Sequence, residues 1–147
     1  MLELKKSDQK AIIVIKQKRD TETGELARRI GKLLYTEVKA VTGKRFYSLP
    51  QLKSMGHPYS KYFPKDFLMD DRIINLQTGG LHRSIRWMYI KGQTKTAKVW
   101  ASAPYANSLI RGLGRQRPRD FFGLAYERAL AKIPQEERRF LQEVENG

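Results

Sequence analysis

Apolar positions along this chain of 147 residues recur with two different periods, and the changes of period mark its elements. "AIIVIKQK", Ala11 to Lys18, is short and rich in β-branched residues, which predicts a strand. The stretch from Asp20 to Gly43 then carries Leu26, Ile30, Leu33, Leu34, Val38 and Val41 near a period of 3.6. Asp20, Thr21 and Thr23 are capping candidates and Gly43 is a stop signal, so a long amphipathic helix is expected.

Periodicity disappears between Lys44 and Gln77, where Pro50, Gly56, Pro58 and Pro64 interrupt a series of aromatics. A connection this long is usually functional, and an irregular excursion that orders on contact is expected at about 44–77. Thr78 is placed to cap a short turn. Ser84 to Lys91 and Lys95 to Ser102 then alternate as two strands joined by "GQT", a hairpin with Gly92 in its turn. Ile85, Trp87 and Tyr89 share one face of the first strand, and Arg86, Met88 and Ile90 share the other. With apolar residues on both, each face is expected to be partly covered.

"PYANSLIR" reads as a short helix, "GLGRQRPR" as a loop in which Gly112 and Gly114 permit tight turning, and "DFFGLAYERALAKI" as an apolar-striped helix with Asp120 favourable at its start. Pro134 suits the first position of a separate last helix, "PQEERRFLQEVEN". There is no internal repeat or low-complexity tract. The length fits a single domain over residues 1–147, and the order of elements an α+β fold.

Composition changes this picture mainly through charge. Two Trp, seven Tyr and six Phe within a hydrophobic content of 40% can build a core, so a folded chain is expected rather than global disorder. No apolar run is long enough for a transmembrane helix and the start "MLELKKSDQK" is not a secretory signal, which points away from membranes and toward the cytoplasm or something assembled there. The absence of cysteine removes disulfides, thiolate metal sites and cysteine nucleophiles. Against these, a net charge of +14 implies an acidic partner, nucleic acid first. Arg72 to Arg119 contains ten basic residues and no Asp or Glu. Arg83 and Arg86 lie within this span, and Arg111, Arg115, Arg117 and Arg119 close it. Guanidiniums bind phosphates and carboxylates in forked pairs, so these six are the candidate residues for an anion, DNA or protein partner.

Other chemistry finds little footing. His57 and His82 lack ligand spacing, and Asp66, Asp70 and Asp71 do not complete a metal motif. Ser84 lies near His82 without an acidic residue to orient a triad, and neither a phosphate-binding nor a dinucleotide-binding glycine motif is present. No enzyme activity, metal or cofactor is expected. Trp87, Tyr89 and Trp100 could stack bases on a sheet, but aromatics in a hairpin more often belong to a core.

The order of motifs in the second half resembles a known family. "TGGLHRSI", a two-stranded stretch ending "VWASAPYANSLIRG", and "RQRPRDFFGLAYERAL" resemble the tail-completion or neck proteins of long-tailed bacteriophages, which include minor tail and head-tail joining components. The layout is similar also to the virion-morphogenesis proteins of Mu-like phages. Thr78, Gly79, Leu81, Ser84 and Ile85 match a T-G-x-L-x-x-S-I turn. Pro104, Tyr105, Ala106 and Gly112 match a P-Y-A helix ending near glycine, and Arg117, Pro118, Phe121 and Phe122 match an arginine-proline-aromatic step. The match covers roughly residues 72 to 133, with Asn107 and Arg111 standing where the family usually has an acidic residue and a Gly-Thr step.

The resemblance implies a non-enzymatic subunit of the virion with an α+β fold, a small, mostly antiparallel sheet packed by a long N-terminal helix and by C-terminal helices. It implies a ring, a homo-oligomer of six copies, between the head connector or adaptor and the tail tube or its terminator, around the channel that packaged DNA crosses. Such a protein is assembled in the host cytoplasm and resides at the head-tail interface. A tail terminator capping the tube, or a cytoplasmic nucleic-acid-binding module, would share the charge. On this reading the arginine loop faces an assembly partner or the channel, with Tyr105, Phe121 and Phe122 holding its ends in the core.

Overall fold

The computed structural model describes residues 2–7, 10–17, 25–43, 50, 79–90, 95–112 and 119–146. The excursion expected at 44–77 apart from residue 50, the caps Asp20, Thr21 and Thr23, Thr78, the "GQT" turn, Gly114, and the loop residues Arg115, Arg117 and Pro118 lie outside the described residues.

The described chain runs β1 (Leu2–Lys6), β2 (Ile12–Gln17), α1 (Glu25–Thr42), α2 (Gly80–Ser84), β3 (Ile85–Ile90), β4 (Lys95–Ala101), α3 (Ala106–Arg111) and α4 (Phe121–Asn146). This is the α+β class expected. The four strands form one sheet in the order β1-β2-β4-β3, antiparallel throughout. The β3–β4 hairpin follows from local alternation, whereas β2 joins β4 with Ile12 opposite Trp100 and Ile15 opposite Ala97.

Alternation assigns one face of the sheet to the core. Ile13 and Ile15 on β2, Ala97 and Val99 on β4, and Ile85 on β3 are buried. α1 covers them with Ala27, Ile30, Leu34, Val38 and Val41, the period read from the sequence. Gly31 lies where α1 crosses the sheet: a Cβ there would come within 2.8 Å of the Ala97 methyl. Trp87 also faces α1, its ring 6.4 Å from that of Tyr35.

α4 packs along α1 in the opposite direction. Arg29, near the start of α1, pairs with Glu136 and Glu143 late in α4 and stacks on Phe140 at 5.5 Å from the ring centre. Further along α1, the buried Glu37 carboxylate accepts from Lys132. These contacts explain why Pro134 does not begin a new helix. α4 continues through it as a single helix of 26 residues. An interior proline removes a hydrogen bond and costs roughly 3 kcal/mol in isolation. Here Ile133 on one side and Glu136 and Phe140 on the other hold both flanking turns against α1, while Pro134 itself is exposed.

The ion pairs at this helix contact make stability depend on acid. Glu25 accepts from Arg28 at 2.9 and 2.6 Å through its two oxygens and from Arg29 at 3.2 Å. The Arg28 bond above all, against an opposing burial penalty and with Arg29 adding to it, lowers the Glu25 pKa from 4.5 to about 2. A depressed carboxylate contributes its stability above the unfolded-state pKa and loses it as pH falls through the folded one. The contribution is therefore complete above about pH 4.5 and lost toward pH 2, and with solvent screening is on the order of 1–2 kcal/mol. Urea midpoints measured from pH 7 down to 2 should fall less steeply for Glu25→Gln than for the wild type. Parallel slopes would refute the assignment.

Candidate anion and partner surface

The basic second half is organised around one end of the sheet, where β2 and β3 begin and β4 finishes. α2 enters there. Gly79 takes the left-handed conformation (φ 82°), accessible to glycine at little cost, and its carbonyl accepts from the Arg83 amide at 2.9 Å. Leu81 and Ser84 are buried, and the Ser84 hydroxyl donates to the Leu81 carbonyl at 2.7 Å. His82 instead lies by α1, with Nδ1 3.1 Å from the Thr42 hydroxyl and its carbonyl receiving Lys39 Nζ at 2.8 Å. Burial, then the Lys39 charge, lowers its pKa. The two residues are thus engaged separately and form no nucleophile-base pair. Among the described residues no cluster of potential metal ligands occurs, and no helix is long and apolar enough to cross a membrane.

Arg83 and Arg86 are exposed at this end, with an Arg86 Nη1 donating to the Arg83 carbonyl at 3.1 Å. β4 returns beside them: the Ser102 amide and hydroxyl both donate to the Ser84 carbonyl, at 2.9 and 3.0 Å. The Pro104–Tyr105 turn leads into α3, which is attached to β2 because Asn107 Oδ1 accepts the Ala11 amide at 2.8 Å. Asn107, singled out above only as a departure from a motif, therefore fastens the helix to the sheet. Ala106 and Ile110 bury the inner side of α3, and Arg111 is exposed at its end.

The loop after α3 is closed at its base. Gly112 turns the chain in the left-handed conformation (φ 67°), its amide donating to Ser108 at 2.8 Å. Seven residues later the Arg119 amide donates to the Leu109 carbonyl at 2.7 Å. Asp120 then caps α4 by accepting the Gly123 amide at 2.8 Å and forms a 2.8 Å ion pair with Lys6. Phe121 and Phe122 follow, fully buried, with ring centres 5.1 Å apart. The two phenylalanines hold the loop's exit as expected. Tyr105 does not hold its entrance: it is 45% exposed. That role belongs to Ala106, Ile110 and Asn107, because the Pro-Tyr turn precedes the first helical residue and points its ring away from the core.

A second surface emerges only with the sheet assembled. The face opposite α1 carries Ile12, Val14 and Lys16 on β2, Lys98 and Trp100 on β4, and Arg86, Met88 and Ile90 on β3, with Lys5 of β1 opposite Val14. The two faces of β3 are covered to different extents. Ile85, Trp87 and Tyr89 turn toward α1, but Met88 and Ile90 remain 43% and 40% exposed. Among the described residues this face is open: α1 and α4 both lie on the other side, since α4 packs on α1. The three aromatics are also divided, with Trp87 and Tyr89 bordering the core and Trp100 on the open face.

No protein-family model, curated protein or solved structure matches this chain.

Proposed function

We propose that this protein is a structural subunit of a phage neck, a tail-completion or head-tail joining protein that forms a ring of six copies between the head connector and the tail tube. The observation that carries the reading is the closed base of the arginine loop. A hydrogen bond from Arg119 to Leu109 joins a helix fastened to the sheet by Asn107 and a helix rooted by two buried phenylalanines. Such a base suits a loop that must hold its place in an assembly. Cations presented from it can neutralise phosphates of passing DNA without reading bases, or meet carboxylates of a neighbouring subunit.

Disrupting the gene in the virus or prophage that encodes the chain should leave filled heads and finished tails that fail to join. The chain itself should copurify with intact particles at one fixed copy number. Normal infectious particles without it would refute the proposal. Light scattering of the purified protein with a short DNA duplex supplies an independent check: binding should disappear at moderate salt, whereas tight, salt-resistant binding by the monomer would identify a free nucleic-acid module instead.

A further inference from the structure

We infer that the open face of the sheet in one copy receives the outward side of α4 from a second copy, in a head-to-tail contact. This deepens the ring reading above and rests on it for closure of the assembly, while the contact itself is argued from two faces of this chain. Among the described residues, five large hydrophobic side chains are exposed: Met88, Ile90, Tyr105, Leu130 and Leu141. Two lie on the open sheet face and two on α4. An exposed apolar group in a soluble chain is ordinary, but paired clusters rimmed by opposite charge mark complementary surfaces.

The helical period places Leu130, Pro134 and Leu141 along one exposed line of α4, about a quarter turn round from Ala129, Ile133 and Phe140, which face the core or α1. Leu130 to Leu141 spans about 16 Å at 1.5 Å per residue. The open face is four strands wide, about 14 Å at 4.8 Å per strand. The helix ridge is therefore long enough to cross the whole sheet.

Charge agrees with shape. Lys5, Lys16, Arg86 and Lys98 surround the apolar residues of the sheet face, where Glu3, opposite Lys16, is the acidic residue in register. Glu137 and Glu145 flank the helix ridge, with Arg138 beside them and Arg128 and Arg139 also exposed further round the helix. The glutamates on the inner side, Glu136 and Glu143, are engaged by Arg29 within the chain. Aliphatic Met88, Ile90, Ile12 and Val14 argue against nucleic acid as the occupant, since phosphates gain nothing from them. The chain's own α4 is held on the α1 side of the sheet and cannot turn round to the open face. Only another copy can present it, and a contact between two different faces propagates into a ring or a filament.

The absence of cysteine allows a direct test. A chain carrying both Met88→Cys and Leu141→Cys should, under mild oxidation at raised protein concentration, give a ladder of disulfide-linked oligomers. Mixing the two single variants should give dimers joined through positions 88 and 141 and stop there. Lys98→Glu in the doubly substituted chain should lower the yield severalfold, and adding Glu137→Lys should restore much of it. Cross-linking no greater than that of Met88→Cys paired with Ala40→Cys, an exposed position on α1, would overturn the proposed contact. If that happens while the chain still occupies particles at a fixed copy number, the neck reading survives and this contact alone falls. A ladder from a chain that particles do not need would have the opposite meaning.

Discussion

Replacing Phe121 or Phe122 with alanine should destabilise the protein by about 3–5 kcal/mol. Both rings are fully buried and meet edge to face at 5.1 Å, so each substitution removes transfer energy and leaves a cavity lined in part by the other ring. Relaxation is restricted because the backbone here is fixed on both sides. Asp120 holds the Gly123 amide and pairs with Lys6, while the Arg119 amide is held by Leu109. For a chain of this length the thermal midpoint should fall by roughly 10 °C. Exchange of the Arg119 amide should quicken with it, because closure of the loop depends on the root of α4. A loss below about 1 kcal/mol for both variants, with Arg119 exchange unchanged, would show that the rings do not secure the loop. Phe121→Leu retains most of the volume and should recover most of the stability.

Substitution at Gly31 should have the next largest effect. Its missing side chain allows α1 to approach β4, where a new Cβ would lie 2.8 Å from the Ala97 methyl and 3.6 Å from the Trp87 ring. Neither neighbour can yield easily, since Ala97 is on a central strand and Trp87 is packed beside Tyr35. Gly31→Val should therefore cost about 3 kcal/mol through overpacking. Gly31→Ala should cost less, because about 1 kcal/mol of helix propensity offsets the clash. Combining Gly31→Ala with Ala97→Gly removes the opposing methyl, so the double variant should be more stable than the sum of its parts predicts. Urea unfolding of the four proteins measures that coupling. Strict additivity would mean that α1 and β4 do not meet at this point.

Both residues can be noticed in the sequence, but their consequences are unequally visible there. Paired phenylalanines after a helix-start aspartate already suggest a buried helix root. A glycine within a good helix suggests only a local cost until the strand opposite it is known.

Local patterning determined the elements whose signals lie within a few residues of one another: the strand after Ala11, the long amphipathic helix ending before Gly43, the β3–β4 hairpin, the left-handed turn at Gly112 and the Asp120 cap. It also located the acid-free, arginine-rich span, because charge is a property of the residues themselves. Tertiary structure decided the rest. β1 has two isolated leucines among charged residues and becomes a strand by pairing with the edge of β2. Pro134 has the local character of a helix start, yet contacts with α1 on both sides carry the helix through it. The open face of β3 could not be read from its mixed residues, because exposure depends on which side α1 covers. That Arg83, Arg86 and the base of the arginine loop share one end of the sheet likewise required β4 to return beside β3 and Asn107 to bind Ala11, contacts between residues far apart in the chain. Periodicity and charge act at short range along the sequence, whereas burial and pairing depend on partners that only the folded chain brings together.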